Sequence, residues 1–331
     1  MEYSMNLHTN TTLFDQAIRA TAQQLRLQEI YIEKDYWVTY ALYTIFHDEI
    51  GKQAVFKGGT ALSKCYGFIE RFSEDIDLVA VRTSEETDNQ LKTKIKAITN
   101  VVSGIMPEVT VEGITQKRGM NRKTGHSYPK IFKGNYGQVR DVVIVEASWL
   151  GYFEPYTIHL INSFIYEMML KTGQQEMAKT YGLLPFDVQV LDPRRTICEK
   201  IMSLVRFSYT ENPVDDLRNK VRHTYDLYQL LQQKDLFAFF NSDNFDDMLL
   251  KVAQDDVASF RNNNAWLVNH PIKSLFFLDL DNTWNQIKGV YSGTFKGLVY
   301  GELPKEDAVL CVLKTIKERL QKVNWNIQLN N

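Results

Sequence analysis

Long apolar runs are missing from this chain. No stretch approaches the roughly eighteen consecutive apolar residues of a membrane-spanning helix, so a bilayer span is not expected. Met1 to Thr12 shows no basic start followed by an apolar run, so no secretory signal is expected either. Cysteine is scarce: Cys65, Cys198 and Cys311 lie far apart and make neither a disulfide framework nor a zinc spacing. None has a histidine close to it in sequence, so each reads as a small buried side chain in a reducing cytoplasm. An excess of one charge is lacking too. The 38 Lys and Arg residues against 40 Asp and Glu give a net charge of −2, which excludes a chain that is a polyanion binder over its whole surface. Repeats and low-complexity tracts are absent.

What is present is ordinary in bulk and uneven in detail. A hydrophobic content of 44% and a charged content of 24% fit a soluble globular protein, and 331 residues suffice for two domains. Between Gly113 and Arg140 there is no acidic residue against seven basic ones: Lys117, Arg118, Arg122, Lys123, Lys130, Lys133 and Arg140. Such a stretch suggests one face that meets phosphate. With His126, Tyr128, Phe132 and Tyr136 interleaved, the first six of these cations are candidates for gripping RNA while rings stack on unpaired bases. The alternative is a solvated loop, which charge runs commonly are.

Periodicity divides the chain. Thr12 to Phe46 reads as helices, with Trp37, Tyr40, Ala41 and Ile45 at helical spacing after Glu33-Lys34-Asp35. Ala54-Val55-Phe56 is a buried strand ended by Gly58-Gly59, Thr60 to Ile69 resumes a helix, and Ile76 to Val81 is a second strand. A helix over Leu91 to Ile105 precedes strands at Val109 to Ile114 and Val139 to Ser148, joined by a Gly-rich, mobile hairpin or loop. The class is α+β, a mixed sheet with flanking helices followed by a mostly helical part. Residues 1–50 are expected as helices packed on the core, 51–185 as the sheet domain and 186–331 as the helical domain, the boundary falling between Glu154 and Asp192. Asp192 and Pro193 can start a helix striped by Ile197, Ile201 and Leu204, and a second helix runs from about Leu217 to Gln233. Trp266, Phe276, Phe277 and Trp284 read as core.

Asp75 and Asp77 carry the strongest chemical signal. On a strand they share a face, about 6.5 Å apart along the chain, while Ile76 and Leu78 point into apolar packing. Two such carboxylates can hold magnesium, or manganese in its place, and leave positions for substrate phosphates. A two-ion site would stabilise both the attacking and the leaving oxygen of a phosphoryl displacement. Gly58, Gly59 and Thr60 form a strand-to-helix turn whose N–H groups a phosphate can approach, and Lys64, Arg71 and Ser73 are within reach of phosphate oxygens. Glu146, in the apolar run Val142-Val-Ile-Val-Glu-Ala-Ser148, is the candidate third acid, since a carboxylate buried there needs a cation. In the helical half, Lys200 lies beside a core stripe, where it could neutralise a triphosphate. Arg222 and Asp226 are at i, i+4, and spacing alone favours a surface ion pair.

Taken together, Glu33-Lys-Asp-Tyr-Trp37, Lys57-Gly-Gly-Thr-Ala-Leu-Ser-Lys64, Arg71-Phe-Ser-Glu-Asp-Ile-Asp-Leu78, Glu199-Lys200 and Arg222-His-x-x-Asp226 resemble the AbiEii/AbiGii-type nucleotidyltransferase toxins. These belong to the DNA polymerase β-like superfamily and act in type IV toxin–antitoxin and abortive-infection systems. The resemblance implies a polymerase β-like transferase domain, with Asp75 and Asp77 as metal-binding acids and Gly59, Thr60 and Ser73 as nucleotide contacts. It also implies Lys200 and Asp226 as nucleotide-contacting or catalytic groups, Arg222 beside them, and Glu146 on the strand of the third acid. Thr60 replaces the serine of many superfamily members and keeps the hydroxyl. The expected activity is transfer of a nucleotide from an NTP to RNA, with a tRNA 3′ end as acceptor. The expected partner is an antitoxin with a winged helix-turn-helix domain. Two alternatives stand beside it: transfer to a protein or small-molecule hydroxyl, and a non-catalytic NTP-binding module.

Overall fold

The computed structural model describes residues 4–117, 119–136, 139–260 and 263–329. The chain divides into two units. One comprises Met1–Gly67, Phe72–Trp149 and Tyr156–Val190, the other Phe68–Arg71, Leu150–Pro155 and Leu191–Asn331. Among the described residues no helix is long and apolar enough to cross a membrane.

The first unit is built on a sheet of β1 (Ala54–Lys57), β2 (Asp75–Ala80), β3 (Glu108–Val109), β4 (Asn121–His126), β5 (Val143–Ser148), β6 (Tyr156–Ile161) and β7 (Phe186–Leu191). Their order is β3-β4-β5-β2-β1-β7-β6. β1 runs antiparallel to β2 and parallel to β7, β2 runs parallel to β5, and β4 runs antiparallel to both β5 and β3. The centre is where composition puts it: Ala54, Val55, Phe56, Val143, Ile144 and Val145 are fully buried. This is the expected α+β class.

Helices flank the sheet: α1 (Thr11–Leu25), α2 (Glu29–His47), α3 (Gly58–Lys64), α4 (Asp88–Ser103), α5 (Phe164–Lys171) and α6 (Gln175–Thr180). The helical stretch foreseen over Thr12 to Phe46 is broken at Arg26, which takes a left-handed conformation and ends α1. Inside α2, Glu33, Lys34 and Asp35 are all buried, and each holds a different segment. Glu33 accepts hydrogen bonds from Ile131 N at 2.7 Å and Phe132 N at 3.1 Å. Lys34 pairs with Glu74, directly ahead of β2. Asp35 accepts from Lys64 Nζ at 2.6 Å and Phe164 N at 2.8 Å. Three consecutive charges on one helix therefore pin the basic segment, the entry to β2, and α3 with α5. Burial of this kind is tolerated because Lys34 and Asp35 are ion-paired and Glu33 accepts two backbone N–H bonds.

The helical unit contains α7 (Pro193–Phe207), α8 (Pro213–Asn219), α9 (Val221–Leu231), α10 (Lys234–Phe240), α11 (Asp243–Ser259), α12 (Leu275–Leu278), α13 (Leu280–Ser292) and α14 (Glu306–Leu320). Asp192 caps α7 by accepting from Arg194 N, with Pro193 in the first turn. The single helix foreseen from Leu217 to Gln233 is two, α8 and α9, separated at Lys220. Trp266, Phe276, Phe277 and Trp284 are core, at most 5% exposed. The boundary differs from a break at residue 186. β7 lies in the sheet with Phe56 opposite Val190, so the division follows Val190. Its alternation of buried Phe186, Val188 and Val190 is the period of a strand.

Candidate active site

Strand register assembles the acids. β2 alternates, Asp75 and Asp77 half-buried, Ile76 and Leu78 buried, so both aspartates lie on one face as the sequence requires. Across the sheet Lys57 stands opposite Asp77, Asp77 opposite Glu146, and Glu146 opposite Lys123. Register partners point to the same side, so the row runs cation, carboxylate, carboxylate, cation over four adjacent strands. Burial, then the charges of Glu146 and Asp75, push the Asp77 carboxyl up to about 7.

Gly58 and Asp77 are in close approach. Gly58 has φ +80°, and a Cβ there would lie 2.3 Å from Asp77 Oδ2, so only glycine fits. Thr60 is buried, its hydroxyl donating to the Asp75 carbonyl at 2.7 Å and lying 3.0 Å from Ser73 Oγ. Expected as a nucleotide contact, Thr60 is thus a staple between α3 and the start of β2. Ser73 remains half-buried beside it. α3 has seven residues, about two turns, too short for much dipole but with no side-chain cap from Lys57 over its first N–H groups.

Asp75 Oδ1 is buried without a hydrogen-bond partner, the Arg140 guanidinium being 3.8 Å away. Asn121 Oδ1 is a second such acceptor. Glu146, expected as a metal ligand, is engaged instead: Oε1 accepts from Asn121 Nδ2 at 2.9 Å and Oε2 from Lys123 Nζ at 2.8 Å. Among the described residues no group of three or more His, Cys, Asp or Glu side chains is gathered to hold a metal ion. Two carboxylates on one strand face, one of them with an oxygen that accepts no hydrogen bond, nevertheless suit magnesium, which takes one or two carboxylates and completes its shell with water and phosphate.

Other sequence candidates lie elsewhere. The Lys64 side chain is only 5% exposed, donating to Asp35, Thr39 Oγ1 at 2.8 Å and the Asn162 carbonyl at 3.1 Å, so it closes a structural network rather than reaching out to phosphate. In the helical unit, Arg71 grips Asp226 with two bonds of 2.7 and 2.8 Å, and Lys200 donates to the same carboxylate at 2.7 Å. Asp226 is therefore no surface partner of Arg222: it is fully buried, and its bonds come from α7 and from Arg71. Burial alone would raise Asp226, but Arg71 and Lys200 outweigh it and hold the carboxyl well below its usual range. Arg222 is half-buried on α9, and neighbouring His223 accepts at Nδ1 from Lys200 Nζ at 3.4 Å while its Nε2 lies 3.3 Å from Ser203 Oγ.

Most of the described cations in the basic stretch have acidic partners in space. Glu108 pairs with Lys117 and approaches Arg122 at 3.5 Å, Glu146 holds Lys123, and Asp141 holds Lys130 at 2.6 Å. Lys133 is exposed, and Arg118 lies outside the described residues. The rings foreseen for base stacking are packed inward: His126 is fully buried, Tyr128 stacks on Trp37 at 5.7 Å, and Phe132 is 9% exposed. The described part of the segment is a strand, β4, followed by a strap tied to Glu33 and Glu74.

Sequence reasoning gave no role to Lys57, Asn121, Lys34 or Glu74, although all but Asn121 stand in the motifs quoted above. The places of Lys57 and Asn121 in the site follow only from register. Lys34 carries a local signal, standing at helical spacing from Ile30, Tyr31, Trp37 and Val38, whereas Glu74, between Ser73 and Asp75, carries none.

No curated protein matches the chain. A family model does, over residues 40–309, and its description is nucleotidyl transferase AbiEii toxin, type IV TA system. That span includes the glycine turn, both aspartates, Glu146, Lys200 and Asp226. The chain belongs to the AbiEii family of nucleotidyltransferase toxins of type IV toxin–antitoxin systems.

Proposed function

We propose that this toxin transfers a nucleotide from an NTP to an RNA hydroxyl, with a tRNA 3′ end as acceptor, using magnesium held by Asp75 and Asp77. The observation that carries the reading is the Asp pair on one face of β2, with an Asp75 oxygen that accepts no hydrogen bond and with Asp77 pressed against Gly58. Magnesium, when bound, would neutralise the triphosphate and activate its α-phosphorus. Gly58 and Gly59 leave room at the turn for phosphate oxygens. Glu146, facing Asp77, takes the proton of the acceptor hydroxyl as its oxygen forms a bond to the α-phosphorus. The bond to the β-phosphate breaks, and pyrophosphate leaves. Among the helical-unit residues, Lys200 is the proposed phosphate-contacting cation and Asp226 the group that fixes it. The antitoxin is proposed to carry a winged helix-turn-helix domain.

A second reading keeps the chemistry and changes the acceptor to a protein or small-molecule hydroxyl. The internal pairing of Lys117, Arg122, Lys123 and Lys130 favours it, because a neutralised strap offers little to an RNA backbone. The test supplies each of the four labelled NTPs with purified tRNA, total RNA and cell lysate. Label at the tRNA 3′ end supports the first reading, and label on protein or a small molecule supports the second. No label with any NTP, under magnesium or manganese, removes both and leaves an NTP-binding module.

A further inference from the structure

Glu146 is the third acid of the row, yet neither of its oxygens points to a vacant neighbour. Lys123 Nζ is 2.8 Å from Oε2 and Asn121 Nδ2 is 2.9 Å from Oε1. These partners are set by the sheet. β4 and β5 pair in register from Asn121 opposite Ser148 to His126 opposite Val143, which places Lys123 directly opposite Glu146. The pair is shielded, the Lys123 side chain 22% and the Glu146 side chain 27% exposed, so solvent screens it only in part. A dication bound to Glu146 would have to displace this ammonium group or sit against it, like charge to like. At the other end of the face Asp75 Oδ1 has no hydrogen-bond partner.

We propose that the site takes a single divalent cation, on Asp75 and Asp77, and that the Lys123 ammonium group replaces a second one at Glu146. The inference rests on the Asp pair being the cation site. It assigns Lys123 to the active site instead of to RNA, as a positioning residue whose 2.8 Å bond holds the Glu146 carboxylate across from Asp77. Asn121 holds the other oxygen, so Glu146 keeps one orientation. The cationic neighbour is built into the fold and need not be recruited with the substrate.

Equilibrium dialysis counts protein-bound Mn2+ in the presence of an NTP analogue whose α–β bridging oxygen is a methylene. The wild-type chain should bind one Mn2+, read directly and apart from any turnover. Lys123→Met should bind two, and adding Glu146→Gln should return the count to one. Lys123→Gln, which keeps a polar group in the sheet, is counted in parallel in case the methionine variant does not fold. Should neither variant fold, the wild-type count decides alone. Two ions on the wild-type chain, or one ion on either folded Lys123 variant, overturns the proposal and leaves the transferase reading intact. No Mn2+ on the wild-type chain, or one ion that persists in Asp75→Asn with Asp77→Asn, overturns the reading of the Asp pair and this proposal with it.

Discussion

Asp77 and Glu146 are register partners on parallel strands, so two carboxylates face each other across one inter-strand gap. Burial and this neighbour raise Asp77 to about 7, against about 3.9 for an unfolded aspartate. Between those values the folded chain holds a proton that the unfolded chain has lost, so this group's contribution to stability falls as pH rises through the window. Metal-free Asp77→Asn should therefore melt a few degrees above wild type at pH above about 7, with the gap closing towards about pH 4, while transfer is lost. Scanning fluorimetry with chelator at both ends of the window checks it. Equal melting temperatures above about pH 7 would remove the repulsion argued here.

Asp226 should behave in the opposite sense. Its carboxyl is fully buried between Arg71 and Lys200, and its pKa lies below the unfolded value, so its stabilisation is present above about pH 4 and is lost below. Asp226→Ala leaves two buried cations uncompensated and should cost about 3–5 kcal/mol. Lys200→Met keeps the two-bond Arg71–Asp226 pair and should cost clearly less. Urea unfolding at neutral pH ranks the two, and equal losses would show that Lys200 is as structural as Asp226.

Local pattern carried the glycine turn, the paired aspartates, the Asp192 cap and the alternation of β2, because each is a relation within a few residues. It did not carry the row Lys57–Asp77–Glu146–Lys123, which exists only once β4 lies against β5. The same cause explains the basic stretch. It is free of acids in sequence, and Glu108, Asp141 and Glu146 return to it through the sheet and the strap. The i, i+4 spacing of Arg222 and Asp226 likewise suggested a surface pair, whereas tertiary packing gave Asp226 to Arg71, 155 residues away.

Gly58 should tolerate no side chain. Its φ of +80° and a Cβ position 2.3 Å from Asp77 Oδ2 mean that Gly58→Ala must displace either the turn or the carboxylate. Backbone strain of about 1–3 kcal/mol is expected, and a shift of Asp77 by about 1 Å should slow transfer about 100-fold. Thermal melts and single-turnover rates check both. A Gly58→Ala enzyme with wild-type rate would show that Asp77 need not sit where the glycine lets it.

Lys34 and Glu74 should prove coupled. Both are buried and paired with each other, and Glu74 also accepts from Arg140 N at 3.0 Å, immediately before Asp75 enters the sheet. Burial pushes Glu74 up and Lys34 down, and each charge offsets that cost for the other. Lys34→Met strands a carboxylate and should cost about 3–5 kcal/mol. Combining it with Glu74→Gln removes the stranded charge and keeps an acceptor for Arg140 N. The double variant should therefore lose at least about 1 kcal/mol less than the sum of the single losses. A double-mutant cycle by urea unfolding measures that coupling. Strictly additive losses would mean that the entry to β2, and with it the placement of Asp75, does not depend on the charge contributed by α2.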